Sequence, residues 1–241
     1  VVALTQSVVP ELKRISPRMK APVTVIPCCA DFEHFMSQPG LHRAASRAQI
    51  GIAESDIVVS YLGSLGTWYM VEEMLSFFAR LASKNENVHM LLITRDWAAE
   101  HERLIHALGF EGIRGRIHIH PASRDSVPRL LGASDVMLSF IKPAYSKMAS
   151  SPTKLAEAFA MGIPVISNSG VGDVALITEA LDAGAIVDLS NEANIAQTAD
   201  DLHLIIAKGG VALRDRARKQ FGLEVASSLY KDVYRSLERA K

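Results

Sequence analysis

The chain has few cysteines: only Cys28 and Cys29 occur among its 241 residues, and they are adjacent. Adjacent cysteines do not have the spacing of a zinc site, and a disulfide between sequence neighbours is strained. The chain therefore lacks a disulfide framework. We expect two free thiols and a reducing compartment, the cytoplasm.

An excess of charge and long apolar runs are also lacking. Lys plus Arg and Asp plus Glu number 26 each, a formal net charge of +0. Because no net charge creates an overall electrostatic field, the chain is not expected to bind nucleic acid. Its function must therefore come from a local site. The chain has no run of about 18 apolar residues, so no transmembrane segment is predicted, and no export leader is visible. Peripheral attachment at the inner face of the membrane is the alternative to a purely cytoplasmic location.

Common nucleotide-binding and metal-binding motifs are missing as well. The loop from Gly63 to Gly66 is a GxxG, which falls short of GxGxxG and lacks the Walker lysine. His118 and His120 would share one face of a strand, but no carboxylate or cysteine stands at the spacing of a metal site. We therefore expect no metal, and packing or surface positions for both histidines.

Short apolar runs, in contrast, recur along a chain that is 49% hydrophobic. Nearly continuous runs of Val, Ile and Leu are typical of strands that are covered on both faces in a parallel sheet. The predicted strands are residues 23–26, 57–62, 88–93, 117–120, 136–140, 164–167 and 185–187.

Helical patterns follow most of these strands. The predicted helices are residues 71–82, 99–108, 127–132, 154–161, 193–208 and 211–240. Alternating strands and helices predict an α/β fold, a Rossmann-like doubly wound parallel sheet. In the last helix, apolar residues recur every four positions, and ordinary packing is the favoured interpretation of this stripe. The stripe consists of Val225, Leu229, Val233 and Leu237.

Ligands of such a sheet gather beyond the carboxyl ends of its strands, where helix N-termini offer unpaired N–H groups. After the first strand of the sheet, the hydroxyls of Ser64 and Thr67 beside Gly63 can meet phosphate or sugar, although a tight turn explains the glycine equally well. After the next strand, Arg95 can bind a diphosphate in a bidentate way. A surface pair between Arg95 and Asp96 is the alternative.

The stretch "SSPTKLAEAFAMGIPVIS" holds the most informative polar cluster. Ser151 is predicted to cap a helix that begins at Pro152, with Thr153 in its first turn. Lys154 in the same turn opposes the helix dipole, so it indicates an anion bound beside it. Glu157 can accept two hydrogen bonds from the vicinal hydroxyls of a ribose. A solvated glutamate is the alternative interpretation of Glu157.

Four segments together resemble a known family. "VIPCCADFEHF", "YLGSLGTWY", "KLAEAFAMGIPVIS" and "SNSGVGD" are similar, in this order and spacing, to motifs in the C-terminal, donor-binding half of GT-B glycosyltransferases. The retaining group numbered four is the most similar, and in particular a subgroup with an "SSPTK" turn. The resemblance covers essentially the whole chain, although each motif alone is weak.

The resemblance implies a division of the chain. Residues 1–22 would be the tail end of a truncated N-terminal domain, since the chain begins without Met in "VVALTQSVV", a strand followed by a helix start. Residues 23–55 would be the interdomain linker and entry segment, and residues 56–208 the nucleotide-sugar-binding domain. Residues 209–241 would be helices that pack back across the interdomain region.

The resemblance also implies a nucleotide diphosphate sugar as the donor substrate, with the base on Pro121 to Ser123, the ribose on Glu157 and the diphosphate near Lys154. The expected donor-binding residues are Gly63, Ser64, Thr67, Arg95, Pro121, Ser123, Lys147, Ser151, Thr153, Lys154, Leu155 and Glu157. Such enzymes transfer the sugar with retention, without a cofactor or a required metal, and no DxD motif occurs here. The acceptor, a polysaccharide or glycolipid, and most catalytic residues would belong to the N-terminal domain. We therefore expect this chain alone to be inactive.

The chain departs from the family pattern at two places. The arginine and lysine usual in the first loop are absent, since Leu65 and Tyr69 stand near their positions. Lys147 and Lys154 are expected to supply the missing positive charge. A further glutamate usually stands eight residues before the position of Glu157, where this chain has an alanine, Ala149.

Two alternatives stay open. One is a nucleotide-sugar epimerase of the same architecture, which would use carboxylates and histidines in the cleft; the "SSPTK" turn argues against it. The other is a noncatalytic nucleotide-sugar-binding module, which the missing glutamate makes plausible.

Overall fold

The computed structural model describes residues 1–36 and 39–239. Its strands there are β1 (Val2–Ala3), β2 (Thr24–Val25), β3 (Ile57–Leu62), β4 (Val88–Ile93), β5 (Ile117–His120), β6 (Val136–Ser139), β7 (Val165–Asn168) and β8 (Gly184–Val187). Its α-helices are α1 (Val9–Ile15), α2 (Pro39–Ile50), α3 (Val71–Lys84), α4 (Ala99–Ala107), α5 (Val127–Leu131), α6 (Thr153–Ala160), α7 (Val174–Ala180), α8 (Glu192–Asp200), α9 (Leu202–Ile206), α10 (Val211–Phe221) and α11 (Leu223–Glu238). Short 3-10 helices lie at His34–Met36, Glu111–Arg116 and Tyr145–Ala149.

Six parallel strands form the central sheet in the order β5-β4-β3-β6-β7-β8. The winding direction reverses between β3 and β6, which is where open α/β sheets bind their ligands. Leu62 pairs with Ile93, and Ile93 pairs with His120, so β3, β4 and β5 end at the same level. The predicted doubly wound sheet is confirmed, and these three strands have the predicted bounds.

Helices cover both faces of the sheet, which explains why the strands are apolar throughout. On one face α3 buries Phe77 and Phe78 against Val59 of β3. On the other face α6 buries Phe159 beneath α10, whose Phe221 ring lies 6.0 Å from it between centroids. The core is thus split into two apolar layers, and α6 is held firmly in one of them.

Arg47 of α2 ties the amino ends of the strands together, and its side chain is 1% exposed. Its guanidinium donates to the carbonyl oxygens of Ala133 at 3.1 Å and Asp56 at 2.6 Å, and to the carboxylate of Asp135 at 2.7 Å. The same carboxylate accepts the Val58 N–H at 2.7 Å. Arg47 thereby satisfies backbone groups that neither α2 nor the sheet satisfies.

The C-terminal helices differ from the sequence prediction. The predicted helix at 193–208 is broken at Asp201 into α8 and α9, and the one at 211–240 is broken at Gly222 into α10 and α11. Gly222 takes an extended conformation, φ −69° and ψ 142°, which helix geometry does not allow. Residue 240, the predicted end of the last helix, lies outside the described residues.

The packing predicted for the last apolar stripe is only partial in the described part of the chain, where Val225, Leu229 and Val233 are half-buried. Helix α11 buries none of its residues there. Leu237 is 58% exposed, and Tyr230 and Tyr234 beside the stripe are 41% and 65% exposed. Neither core layer includes a residue of this stripe.

The N-terminal segment is attached to loops at the carboxyl edge of the sheet. Strands β1 and β2 form a separate parallel pair. Asp173, at the start of α7, accepts hydrogen bonds from the N–H groups of Gln6 at 2.5 Å and Ser7 at 2.9 Å. The hydroxyl of Thr5 donates to the carbonyl oxygen of Met148 at 2.7 Å. The first residues of the chain therefore lie beside the predicted ligand-binding edge.

No helix within residues 1–36 and 39–239 combines the length and the apolar character that crossing a membrane requires.

Arg47 and Arg43 both pair with Asp135, but the side chain of Arg43 is 32% exposed, which makes the two a matched pair of test sites. We expect Arg47→Leu to lower the free energy of unfolding by about 3 to 5 kcal/mol, because Asp135 and several carbonyl groups lose a buried partner. Arg43→Leu should lower it by less than about 1 kcal/mol. Urea unfolding of both variants measures the difference. Equal losses would show that the buried network has no special role.

Candidate functional site

A cleft of about 250 Å³ opens at the carboxyl edge of the sheet, where the loops after β3, β4 and β5 meet. Three of the predicted ligand-binding residues, Gly63, Ser64 and Arg95, line this cleft. The remaining lining residues are Leu62, Ile93, Thr94, Asp96, Ala122 and Val127. The structure therefore brings the first and second predicted loops together, with Ala122 of the third loop beside them.

Asp96 holds the glycine loop in place, a role that the sequence did not reveal. Its carboxylate accepts the Ser64 hydroxyl at 2.6 Å and the Leu65 N–H at 3.0 Å. These bonds, the hydroxyl first, lower the pKa of Asp96 from its ordinary value. Arg95 instead donates to the carbonyl oxygen of Ala122 at 3.0 Å. The alternative of a simple Arg95–Asp96 surface pair is therefore wrong, because each side chain binds a different loop.

The loop after β5 is stabilised internally. The Ser123 N–H donates to the hydroxyl of Ser126 at 2.9 Å, and that hydroxyl donates back to the Ser123 carbonyl oxygen at 3.0 Å. Pro121 and Ser123 are exposed. His34 contacts the next residue of the loop, with its Nε2 atom 3.3 Å from the carbonyl oxygen of Arg124. The loop therefore offers an ordered, accessible backbone edge beside the cleft.

Helix α6 begins one residue after Pro152, the predicted first helical position, and one residue before the predicted apolar pattern of 154–161. Thr153 is its first residue, and Pro152, with ψ 115°, occupies the N-cap position. Ser151 does not cap the helix, because its hydroxyl accepts the N–H of Cys28 at 3.0 Å. No side chain caps this helix within the described residues, so its first N–H groups remain available to an anion. Leu155 is buried, and its own N–H donates to the Pro152 carbonyl oxygen at 3.1 Å.

Lys154 is 8% exposed and does not extend into solvent. Its Nζ donates to the hydroxyl of Tyr61 at 2.9 Å and lies 4.1 Å and 4.0 Å from the ring centroids of Tyr61 and Tyr69. Burial lowers the pKa of Lys154 to about 7, against the opposing effect of Glu157. Neither tyrosine was predicted to contact this lysine.

Glu157 follows Lys154 by one turn and is half-buried. Burial raises its pKa above the ordinary value, while the positive charges of Arg124, Lys154 and His34 act in the opposite direction. In the part of the chain that the structure describes, no donor is hydrogen-bonded to its carboxylate. A half-buried carboxylate without a donor is well placed to accept hydrogen bonds from a ligand.

Thr67, Lys147 and Thr153, which were also predicted, are not among the residues that line this cleft. Thr67 and Thr153 are exposed. The Nζ atom of Lys147 lies 4.3 Å from the ring centroid of Trp68, which is itself 42% exposed. Lys147 and Lys154, which were expected to act together, are thus held by different aromatic side chains.

The two histidines of β5, His118 and His120, do not line the cleft. His118 Nε2 lies 3.1 Å from Nδ1 of His89. His118 and His120 are both partly buried, as expected for packing. Burial lowers the pKa of His118 to about 4. Across residues 1–36 and 39–239, no group of three or more His, Cys, Asp or Glu side chains has the arrangement of a metal site.

Comparisons with known proteins match this chain to one family model and to several solved structures. The sequence model of the glycosyl transferases group 1 family matches residues 42–220. Sucrose-phosphate synthase from Thermosynechococcus elongatus has a TM-score of 0.75 at 18% identity, over 100% of this chain and 59% of that one. WaaG, a glycosyltransferase involved in lipopolysaccharide biosynthesis, has a TM-score of 0.71 at 20% identity, over 96% and 60%. Anabaena HepE, solved with UDP and glucose, has a TM-score of 0.70 at 18% identity, over 99% and 62%.

At these identities the solved structures establish the fold. The chain spans about 60% of the length of each of them. Among curated proteins, none matches the chain significantly.

Gly63 has φ +122°, and a Cβ atom there would lie 3.2 Å from the Nζ of Lys154. We expect Gly63→Ala to lower the free energy of unfolding by about 1 to 3 kcal/mol, because this backbone region strains any other residue. Gly66→Ala is the matched control, since its Cβ would meet only the Ser64 hydroxyl at 3.5 Å. Thermal or urea unfolding compares the two, and an equal effect would contradict the strain at Gly63.

Proposed function

Because this chain belongs to the glycosyl transferases group 1 family, we propose that it is the donor-binding domain of a retaining glycosyltransferase. The observation that carries the proposal is the pair on α6. Among the described residues, Lys154 is a buried amine with no ion-pair partner, and Glu157 is a half-buried carboxylate with no hydrogen-bond donor. A nucleotide diphosphate sugar supplies both, an anion for the lysine and hydroxyl donors for the glutamate.

The donor would lie across the switch point of the sheet. Its base would face the loop at Pro121 to Ser123, and its ribose hydroxyls would donate to Glu157. Its diphosphate would lie between the glycine loop at Gly63 and the uncapped N-terminus of α6. The complexes of HepE with UDP and with UDP-glucose support a uridine nucleotide as the first donor to test.

Bond cleavage leaves negative charge on the diphosphate. In this proposal the free N–H groups of α6 and the ammonium of Lys154 stabilise that charge electrostatically. No metal or cofactor is assigned a role, and the sugar would be transferred with retention. Four further side chains would contribute to orienting the donor: Arg95, Lys147, Ser151 and Thr153.

The acceptor would be held by the N-terminal domain of the complete protein. Residues 1–22 would be the end of that domain. The partly exposed apolar stripe of α11 would pack against the same domain. The proposed location is the cytoplasm, and a polysaccharide or a glycolipid is the proposed acceptor class. The isolated chain is proposed to be inactive, because it would bring no acceptor to the cleft.

A nucleotide-sugar epimerase is the second candidate, since the same architecture and the same donor would serve it. The "SSPTK" turn argues against the epimerase, whereas Ala149, which stands where the glycosyltransferases usually have a glutamate, favours a noncatalytic module. Product analysis of the full-length protein with a nucleotide sugar separates the two: a sugar transferred to an acceptor supports the transferase, and an epimerised nucleotide sugar supports the epimerase. Donor binding without either product supports a noncatalytic module.

We expect Glu157→Ala to weaken binding of the preferred nucleotide diphosphate by about 1 to 3 kcal/mol, because hydrogen bonds to a charged group are lost. Glu179→Ala, at an exposed glutamate on the next helix, is the control and should leave the affinity unchanged. Calorimetric titration of the full-length protein with UDP and with GDP measures both. Unchanged affinity in folded Glu157→Ala would refute the position of the ribose.

A further inference from the structure

Lys154 is a buried amine that has no ion-pair partner among the described residues. Its side chain is 8% exposed, and its hydrogen bond in the described residues goes to the neutral hydroxyl of Tyr61 at 2.9 Å. Two ring faces, those of Tyr61 and Tyr69, complete its surroundings at about 4 Å. A buried cation needs an anionic partner to be stable in its charged form. The nearest charged group that acts on it is Glu157 of the same helix.

The groups that face Lys154 come from several elements. Tyr61 belongs to β3, Tyr69 to the loop that follows it, and Glu157 to α6 itself. Burial also raises the pKa of Tyr61, so this phenol keeps its proton. One step further out, the carboxylate of Glu157 is influenced by Arg124 and His34, and Tyr61 by Asp96.

Tyr61 connects the lysine to the lining of the cleft. Its hydroxyl accepts a hydrogen bond from Lys154 and donates one to the carbonyl oxygen of Ser64. The Ser64 hydroxyl in turn donates to Asp96 at 2.6 Å. An unbroken chain of hydrogen bonds therefore runs from α6 through β3 to the glycine loop.

Gly63 separates the ammonium from the cleft. It lines the cleft, and a Cβ atom built on it would lie 3.2 Å from Nζ of Lys154. Because glycine has no side chain, an anion in the cleft can approach the ammonium closely at this position. The lysine is thus behind the cleft wall and within reach of a ligand.

We propose that Lys154, seated between Tyr61 and Tyr69, is a proton-linked diphosphate ligand: it takes up a proton as a nucleotide sugar binds, and the two tyrosines set the pH at which it does so. This inference rests on the donor-binding function proposed above. Tyr61 and Tyr69 are positioning residues in it, since they act on the donor through Lys154.

The direction of the effect follows from the burial of the lysine. Burial lowers the pKa of Lys154 from 10.5 to about 7, so the amine is mostly neutral in the free protein at pH 8. A bound diphosphate favours the ammonium and raises that pKa, and Nζ gains one proton from the solvent. Affinity is therefore greatest below about pH 7 and falls by up to tenfold for each pH unit above it, until the pKa of the complex is reached.

Calorimetry of the full-length protein with UDP-glucose tests this proposal. Both phosphates of this probe are esters, so it has no proton of its own that titrates near neutral pH. Binding heats at pH 8 in Tris and in HEPES give the number of protons taken up, and affinities between pH 6 and pH 9 give the midpoint. GDP-mannose is the second probe.

We expect uptake of about 0.5 to 1 proton by the wild-type protein at pH 8 and none by Lys154→Met. Tyr61→Phe keeps the ring and removes the hydroxyl, which should move the midpoint to lower pH by about one to two units. Tyr69→Leu keeps apolar bulk and removes the ring face, which should move it in the same direction by about one unit. Tyr230→Phe, on the exposed helix α11, should leave the midpoint unchanged.

Binding without proton uptake at pH 8 overturns the inference and leaves the donor-binding function standing. An unchanged midpoint in Tyr61→Phe and Tyr69→Leu also overturns it, since a purely structural role would alter only stability. Failure of both nucleotide sugars to bind overturns the inference together with the proposed function. The NMR shift of Lys154 Cε in the free wild-type protein needs no variant: a titration midpoint near 7 supports the inference, and one near 10.5 overturns it.

Discussion

Helix α6 packs Leu155, Ala156 and Phe159 into the core beneath α10, and this contact decides where every group at its N-terminus lies. A helix buried on nearly every side cannot rotate to release a side chain into solvent. Lys154 consequently crosses the carboxyl edge of the sheet to reach Tyr61, which belongs to the opposite core layer. The apolar packing of one helix therefore fixes the polar geometry of the whole edge.

The energetic balance at Lys154 shows which effect dominates. Two ring faces contribute about 0.5 to 2 kcal/mol each, and one hydrogen bond to the ammonium about 1.5 to 3 kcal/mol. Removal of the charge from water costs several kcal/mol, and no ion pair offsets that loss in the described chain. A fall in pKa from 10.5 to about 7 corresponds to about 5 kcal/mol, so desolvation prevails in the absence of a ligand. Charge at this position thus depends on what occupies the cleft.

The parts of the structure that follow local rules could be predicted from the sequence, and those that depend on distant contacts could not. Strands β3, β4 and β5 have their predicted bounds, because short, largely apolar runs between turn residues determine strands locally. The position of Lys154 at a helix start was also predictable. Its direction was not, since Tyr61 lies 93 residues away in the sequence. The cap predicted at Ser151 failed for the same reason: the N–H of Cys28 takes the hydroxyl that would have capped α6.

Tyr69 gives the clearest link between the departure from the family pattern and the chemistry of the site. It stands near the position at which the resemblance places a lysine in the first loop. A cation on that loop would face the cleft from the solvent side, where its charge is permanent. Here the loop contributes a ring face instead, and the cation arrives from the helix behind Gly63, where burial makes its charge conditional. The positive charge therefore lies on a buried side chain in the first turn of α6 and not on an exposed loop. Its attraction for phosphate depends on the bound ligand and on pH, whereas that of a loop cation would be constant.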